Sequence, residues 1–121
     1  VSPRRHLSRH TFRHRLERAA DLYLEECYAR RTAARATEFA RQLAFSREHL
    51  TRAASEATGM SLRDLLRTRQ LHRAEKLLRT TSHSTAQIGA ACAFGTRTTF
   101  YRAFRAAFGM TPWEYRRKIT K

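Results

Sequence analysis

FYRAFRAAFGMTPWEYRR, residues 100–117, sets three phenylalanines at steps of four with arginines between them. Such steps place Phe100, Phe104 and Phe108 on one side of an α-helix, while Tyr101, Arg102 and Arg105 fall on others. Gly109 is a suitable left-handed terminator, and Pro112 sits in the first turn of a final short helix, where its missing N–H is not needed. The pattern recurs at an offset of fifty residues, in LTRAASEATGMS. Superposing Ser46 on Thr96 aligns Leu50 with Phe100, Arg52 with Arg102, Ala54 with Phe104, Gly59 with Gly109, Met60 with Met110 and Ser61 with Thr111. Two copies are too few for a solenoid and suit a duplicated helical unit.

The rest of the chain supports helices throughout. It has 121 residues, two prolines and four glycines, with alanine and arginine abundant. Hydrophobic residues make up 41% and aromatics 10%, which excludes a disordered tail and permits a real core. Lysine and arginine number 25 against 10 acids, for a formal net charge of +15. This excess runs along the whole sequence, so the expected partner is a polyanion, nucleic acid first. Solubility alone needs far less charge. Cys27 and Cys92 sit in apolar helical patterns and read as small core residues of a reducing compartment. No apolar run is long enough for a membrane span and no secretory h-region opens the chain, so the expected location is the cytoplasm.

Along the chain, residues 1–10 read as a basic arm or inter-domain linker, with Pro3 opposing helix at the start. The chain opens on Val1, which fits a piece of a longer protein whose effector or dimerisation domain is absent here. Thr11 caps a helix to about Arg30, with Phe12, Leu16, Ala19, Ala20, Tyr23 and Cys27 as its apolar stripe. Thr37 caps a short helix that turns Phe39, Ala40 and Leu43 inward, and Ser46 caps the first repeat helix. Ser61 caps a longer linker helix over 61–79, with Leu62, Leu65, Leu66, Arg69, Ala74, Leu77 and Leu78 near its buried side. Ser84 or Thr85 caps the short helix carrying Ile88, Ala91 and Cys92, and Thr96 the second repeat helix. The predicted fold class is therefore all-α, with about seven helices. A first lobe at 11–79 includes the linker helix, and a second lobe occupies 80–121.

Short helix, tight turn, longer helix is the plan of a helix-turn-helix, whose second helix enters the DNA major groove. If Leu50 and Ala54, or Phe100 and Phe104, pack on the preceding helix, the outward residues follow. They are Arg47, Glu48, Thr51 and Arg52 in the first copy, and Arg97, Thr98, Tyr101 and Arg102 in the second. Arginine can fork onto guanine, and threonine can meet a base or the thymine methyl. Glu48 either accepts from a cytosine amine or caps its helix and orients Arg52. Tyr101 either approaches the nucleic acid or packs. The expected phosphate partners are Ser46, Arg69, Thr96, Thr99 and Arg105.

These residues also carry a resemblance. From residue 36 to 117 the chain is similar to the DNA-binding domain of the AraC/XylS family of bacterial transcription regulators. The second half matches through Ile88, Ala90-Ala91, Phe94, Phe100, Arg102, Phe104, Arg105, Phe108-Gly109, Thr111-Pro112 and Tyr115-Arg116. The first half matches through Phe39-Ala40, Ser46, Leu50, Arg52, Gly59, Ser61, Arg69, Leu71, Ala74 and Leu77-Leu78. The resemblance covers roughly two-thirds of the chain. It implies two homeodomain-like helix-turn-helix lobes bridged by the 61–79 helix, reading successive major grooves of double-stranded DNA. It also implies transcription regulation, with activation the expected direction and RNA polymerase a possible second partner. The cytoplasm it implies is a bacterial one, with the protein at the nucleoid when bound. By the same carry-over, Glu48, Thr51, Arg52, Arg97, Thr98, Tyr101 and Arg102 occupy base-contact positions. The sequence departs from the family at Ala44 and Ala93, where glycine is common, and at Thr96, where aspartate is. Ala54 stands for a bulky aromatic and implies a less filled first lobe. Gly89 stands for alanine, at a helix-propensity cost of up to about 1 kcal/mol.

Other readings carry less. His6, His10 and His14 share a helical face, but arginines alternate with them and no cysteine or carboxylate completes a metal set, so no metal or cofactor is expected. Trp113 and Tyr115 beside the phenylalanine stripe fit core packing better than a stacking platform for single strands. No phosphate loop, paired-carboxylate site or nucleophile–base set is visible, and no catalytic residue or enzyme activity is expected. The remaining alternatives are a basic helical module that binds an acidic protein or membrane surface, and an unspecific DNA-compacting protein.

Overall fold

Hydroxyl caps and left-handed glycines divide the folded chain much as its sequence suggests. The computed structural model describes residues 3–43 and 47–120, without the side chains at 3–10, 47, 50 and 51. Among these residues there are seven helices and no strand: α1 Pro3–Arg30, α2 Ala36–Gln42, α3 Arg47–Thr58, α4 Leu62–Thr80, α5 Thr85–Ala91, α6 Arg97–Phe108 and α7 Pro112–Ile119. Ser61 caps α4 by accepting the Asp64 N–H, Thr96 caps α6 from Thr99, and both Ser84–Gln87 and Thr111–Glu114 close reciprocal capping boxes. Gly59 and Gly109 follow α3 and α6 with φ of 76° and 74°. The expected cap Ser46 and the turn residue Ala44 lie outside the described residues.

Two helix starts differ from expectation. Helix α1 begins at Pro3, so the stretch read as a basic arm is helical from there and Thr11 is an interior residue rather than a cap. A proline is excluded from a helix interior, yet it is well suited to the first turn, whose N–H groups have no intrahelical acceptor. Helix α2 begins at Ala36 with Arg35 as its flanking residue, instead of being capped by Thr37. The Tyr23 hydroxyl takes the place of a local cap there. It accepts the Arg35 N–H at 2.9 Å and donates to the Glu38 carboxylate at 2.9 Å, tying α2 to α1.

Helix α4 serves two cores. Leu62, Leu65 and Leu66 belong to one, with Leu16, Ala20, Tyr23, Leu24 and Cys27 of α1, Phe39 and Ala40 of α2, and Ala54 of α3. Leu71, Ala74 and Leu78 belong to the other, with Ile88, Cys92, Phe94, Phe100 and Phe104. At roughly 100° per residue, these two trios point to nearly opposite sides of the helix. Ala54 is fully buried, and among the described residues α1 supplies more of the first core than α3. The second core is aromatic, with ring centroids 4.9 Å apart for Phe94–Phe100, 5.9 Å for Phe100–Phe104 and 4.4 Å for Phe104–Phe108. Helix α7 closes this end: Tyr115 donates to Glu75 at 2.7 Å, and Arg116 donates to the carbonyl of Leu78 in the last turn of α4 and to those of Thr81 and His83 just after it.

Gln70 lies where the apolar face of α4 changes sides. It is 3% exposed, and its Nε2 donates to the carbonyls of Cys92 and Ala93 at 3.0 and 2.9 Å. The Ala34 N–H reaches the same Ala93 carbonyl at 3.0 Å. Ala93 has φ of 63°, the left-handed conformation that glycine would adopt more easily, and its methyl is buried in the core of the first lobe. The α5–α6 turn is thereby fixed to the segment joining α1 and α2. No helix among the described residues is long and apolar enough to cross a membrane.

Two substitutions test this packing. Gly89 is buried, and a Cβ added there would stand 2.7 Å from Cδ2 of Phe100. Gly89→Ala, which propensity alone would favour, is therefore expected to destabilise the fold by about 1–3 kcal/mol through overpacking, measured by denaturant unfolding. Gln70→Ala strips the Cys92 carbonyl of its side-chain donor and opens space, with an expected loss of about 1–3 kcal/mol and a lower melting temperature.

Candidate nucleic-acid interface

Helix α6 buries Phe100 and Phe104 and leaves Arg97, Thr98, Arg102 and Arg105 exposed. Its inward stripe thus turns Thr98 and Arg102 outward on the opposite side, as the repeat predicts. Tyr101 is half-buried. Its hydroxyl lies 2.8 Å from Thr85 Oγ1 at the start of α5 and receives Arg97 Nη2 at 3.4 Å, while the Arg97 guanidinium sits 5.1 Å from its ring centroid. Burial raises the Tyr101 pKa, but hydrogen bonds from Thr85 and Arg97 outweigh that effect and hold it below the ordinary value. Of the two readings open in the sequence, packing is the one the geometry displays: Tyr101 braces α6 on α5 and orients Arg97.

Thr96 and Thr99 divide the work of the helix start. The Thr96 hydroxyl accepts the Thr99 N–H at 3.1 Å and donates to Thr99 Oγ1 at 2.8 Å. Its single proton is therefore engaged, and the Thr99 proton remains as the donor for an anion. In the first copy, Glu48, His49 and Arg52 are exposed on α3. No ion pair among the described residues joins Glu48 to Arg52. Ser46 and the side chains of Arg47 and Thr51, also expected at the DNA, lie outside what is described, as do those of His6 and His10.

Arg69 changes role. Its Nε donates to Asp21 at 2.6 Å and its Nη2 to Glu17 at 3.3 Å, so the expected phosphate contact gives way to a tie between α4 and α1. Periodicity does not reveal this tie, because the two acids are about fifty positions away.

Four arginines are fastened by acids, while others on several helices, among them Arg15, Arg18, Arg73 and Arg117, form no ion pair among the described residues. Arg13, Arg30, Arg69 and Arg79 pair with carboxylates of α1 and of the second half of α4. Among the described residues, Arg52, Arg63, Arg67, Arg97 and Arg102 form no ion pair. These lie on α3, on the first half of α4 and on α6. Arg63 and Arg67 were not singled out by sequence. Two like charges four apart on one helix repel, and that is the signal that could have found them. The outcome is a surface of unneutralised arginines on both second helices of the repeat, suited to backbone phosphates and base edges.

Comparison with known proteins agrees with this geometry. Residues 39–118 match the model of a helix-turn-helix domain family. The chain is 38% identical over 72 residues to the F1 operon positive regulatory protein of Yersinia pestis, covering 60% of this chain and 24% of that protein. It is 33% identical over 84 residues to the HTH-type transcriptional activator RhaR of Mannheimia succiniciproducens, covering 69% of this chain and 30% of that protein. The chain thus spans less than a third of the length of these curated relatives. Among solved structures, the DNA-binding domain of AdpA in complex with a target DNA superposes with a TM-score of 0.74 at 23% identity, over 85% of this chain and 90% of that one. The C-terminal domain of AraT, a response regulator from Geobacillus stearothermophilus, superposes with a TM-score of 0.73 at 26% identity, over 85% and 84% of the two chains. The duplicated cap-and-stop pattern, the two cores on one linker helix and the family match together place this chain in the AraC-type helix-turn-helix family.

Proposed function

We propose that this chain binds double-stranded DNA in a sequence-specific way and regulates transcription, as an activator, through two recognition helices set in adjacent major grooves. The observation that carries the reading is the distribution of arginines. Among the described residues, Arg52 on α3 and Arg97, Arg102 and Arg105 on α6 are exposed and form no ion pair, which leaves the arginines of both second helices to an anionic partner. Curated relatives are named as a positive regulator and a transcriptional activator, which supports regulation in the activating direction.

In this reading Arg102 and Thr98 read bases from α6, and Arg97 stands beside them on the Tyr101 ring. Glu48, Arg52, Arg47 and Thr51 read from α3. Ser46, Thr99 and Arg105 meet phosphates, and Thr96 acts through Thr99. Both lobes dock as one unit, and RNA polymerase is the protein partner through which activation proceeds.

Footprinting on a selected duplex is expected to show two protected major-groove segments about one helical turn apart. A single short patch would exclude docking by both lobes, and equal affinity for all duplexes would favour unspecific compaction. Arg102→Ala is expected to lose about 1–3 kcal/mol on the selected duplex and relax the preference at one position, whereas Arg105→Ala weakens all duplexes alike and reduces the salt slope by about one. Titrations of both variants against selected and scrambled duplexes separate the two roles.

A further inference from the structure

A groove runs between α4 and α6 and carries three arginines: Arg63 and Arg67 from α4, and Arg102 from α6. Thr68 and Thr99 add hydroxyl donors at its walls, and Asp64 is the acid that lines it. Ala106 and Ala107 line it on the α6 side, so the surface there is low and open. Arg67 is half-buried, with its guanidinium 5.2 Å from the Phe94 ring centroid. Burial and the neighbouring charge of Arg63 both work against its ionised form.

Three features of this groove point to an anion. None of the three arginines forms an ion pair among the described residues, although the chain pairs others at 2.6–3.3 Å. The charges of Arg63 and Arg67 repel one another, a cost that Asp64 offsets in part and that a negative ligand would relieve further. Arg67 is also held in place by a ring rather than by a carboxylate, so its donors are preorganised and unused.

We propose that the α4–α6 groove is a seat for the phosphate backbone of the bound duplex, and that the linker helix touches DNA through Arg63 and Arg67. The proposal rests on the reading that α6 faces double-stranded DNA. Continuity selects the occupant: Arg102 and Thr99 belong both to the groove and to the recognition helix, so a backbone strand leaving α6 meets Arg63 and Arg67 next. Helix α4 is then a third contact element between the two reading helices. Its contribution is independent of sequence, because a phosphate carries no base identity.

The test is a salt titration with the whole chain. Wild type, Arg63→Ala, Arg67→Lys and the double variant R63A/R67A are titrated with a selected and a scrambled duplex at several salt concentrations. The double variant is expected to weaken both duplexes by the same factor, roughly tenfold at low salt, and to reduce the slope of log K against log salt by about one to two. Arg63 is exposed, so Arg63→Ala keeps the fold and alone is expected to lower the slope by about 0.9. Arg67→Lys retains the charge but not the fork and is expected to fall between wild type and the double variant. A methylphosphonate scan of the duplex locates the contact: neutralising one backbone position should weaken wild type and leave R63A/R67A unaffected. Unchanged slopes in Arg63→Ala and R63A/R67A with wild-type binding intact would overturn the seat alone. A loss confined to one base position would also overturn it, by making Arg63 or Arg67 a base reader. Wild type that binds no duplex at low salt would overturn the parent reading and the seat together.

Discussion

The carboxamide of Gln70 ties the two lobes together at the middle of α4. A buried amide that donates to two carbonyls in a low-dielectric setting is directional in a way apolar packing is not. Here it links the middle of α4 to the carbonyls of Cys92 and Ala93, the latter also bound by Ala34. On one side of this joint α4 feeds the first core, and on the other side the second. A leucine at position 70 would leave the Cys92 carbonyl without its side-chain donor and the Ala93 carbonyl with the Ala34 N–H alone. The orientation of one lobe against the other is thus fixed by this amide together with the Ala34–Ala93 hydrogen bond and the buried Ala93 methyl.

Charge is organised around this frame rather than scattered on it. The ten acids are few against 25 bases, and several of them are committed to fastening helices. Asp21 and Glu17 hold Arg69, and Glu75 takes both Arg79 and the Tyr115 hydroxyl. Fastening with ion pairs removes positive charge from the surfaces involved and concentrates the remainder elsewhere. The same economy of acids thus stabilises the scaffold and defines the face left for a polyanion.

Local features were legible from the sequence, and contacts across the chain were not. Ser61, Ser84, Thr96 and Thr111 cap their helices because capping depends on neighbours three positions away. The Phe100–Phe104 stripe and the Gly59 and Gly109 stops are likewise decided within one or two turns. Pro3 misled because a proline's effect depends on where the helix begins, which lies beyond its own neighbourhood. Gly89 looked like a propensity defect until the ring of Phe100 was found in the space a methyl would need. The roles of Gln70, Arg69, Arg63 and Arg67 depend on partners on other helices, and periodicity carries no trace of those. Of the candidate interface, the outward positions of α6 were legible, while the engagement of Tyr101 with Thr85 was not.

Ala93 belongs to two bodies at once. Its backbone makes the left-handed turn of the second helix-turn-helix, and its methyl lies in the core of the first lobe. Glycine would relieve the turn, but it would remove a buried methyl from the other lobe, and these effects are of similar size, each about 1 kcal/mol. Loss of order in one lobe therefore disturbs a residue that the other needs, which couples the two cores.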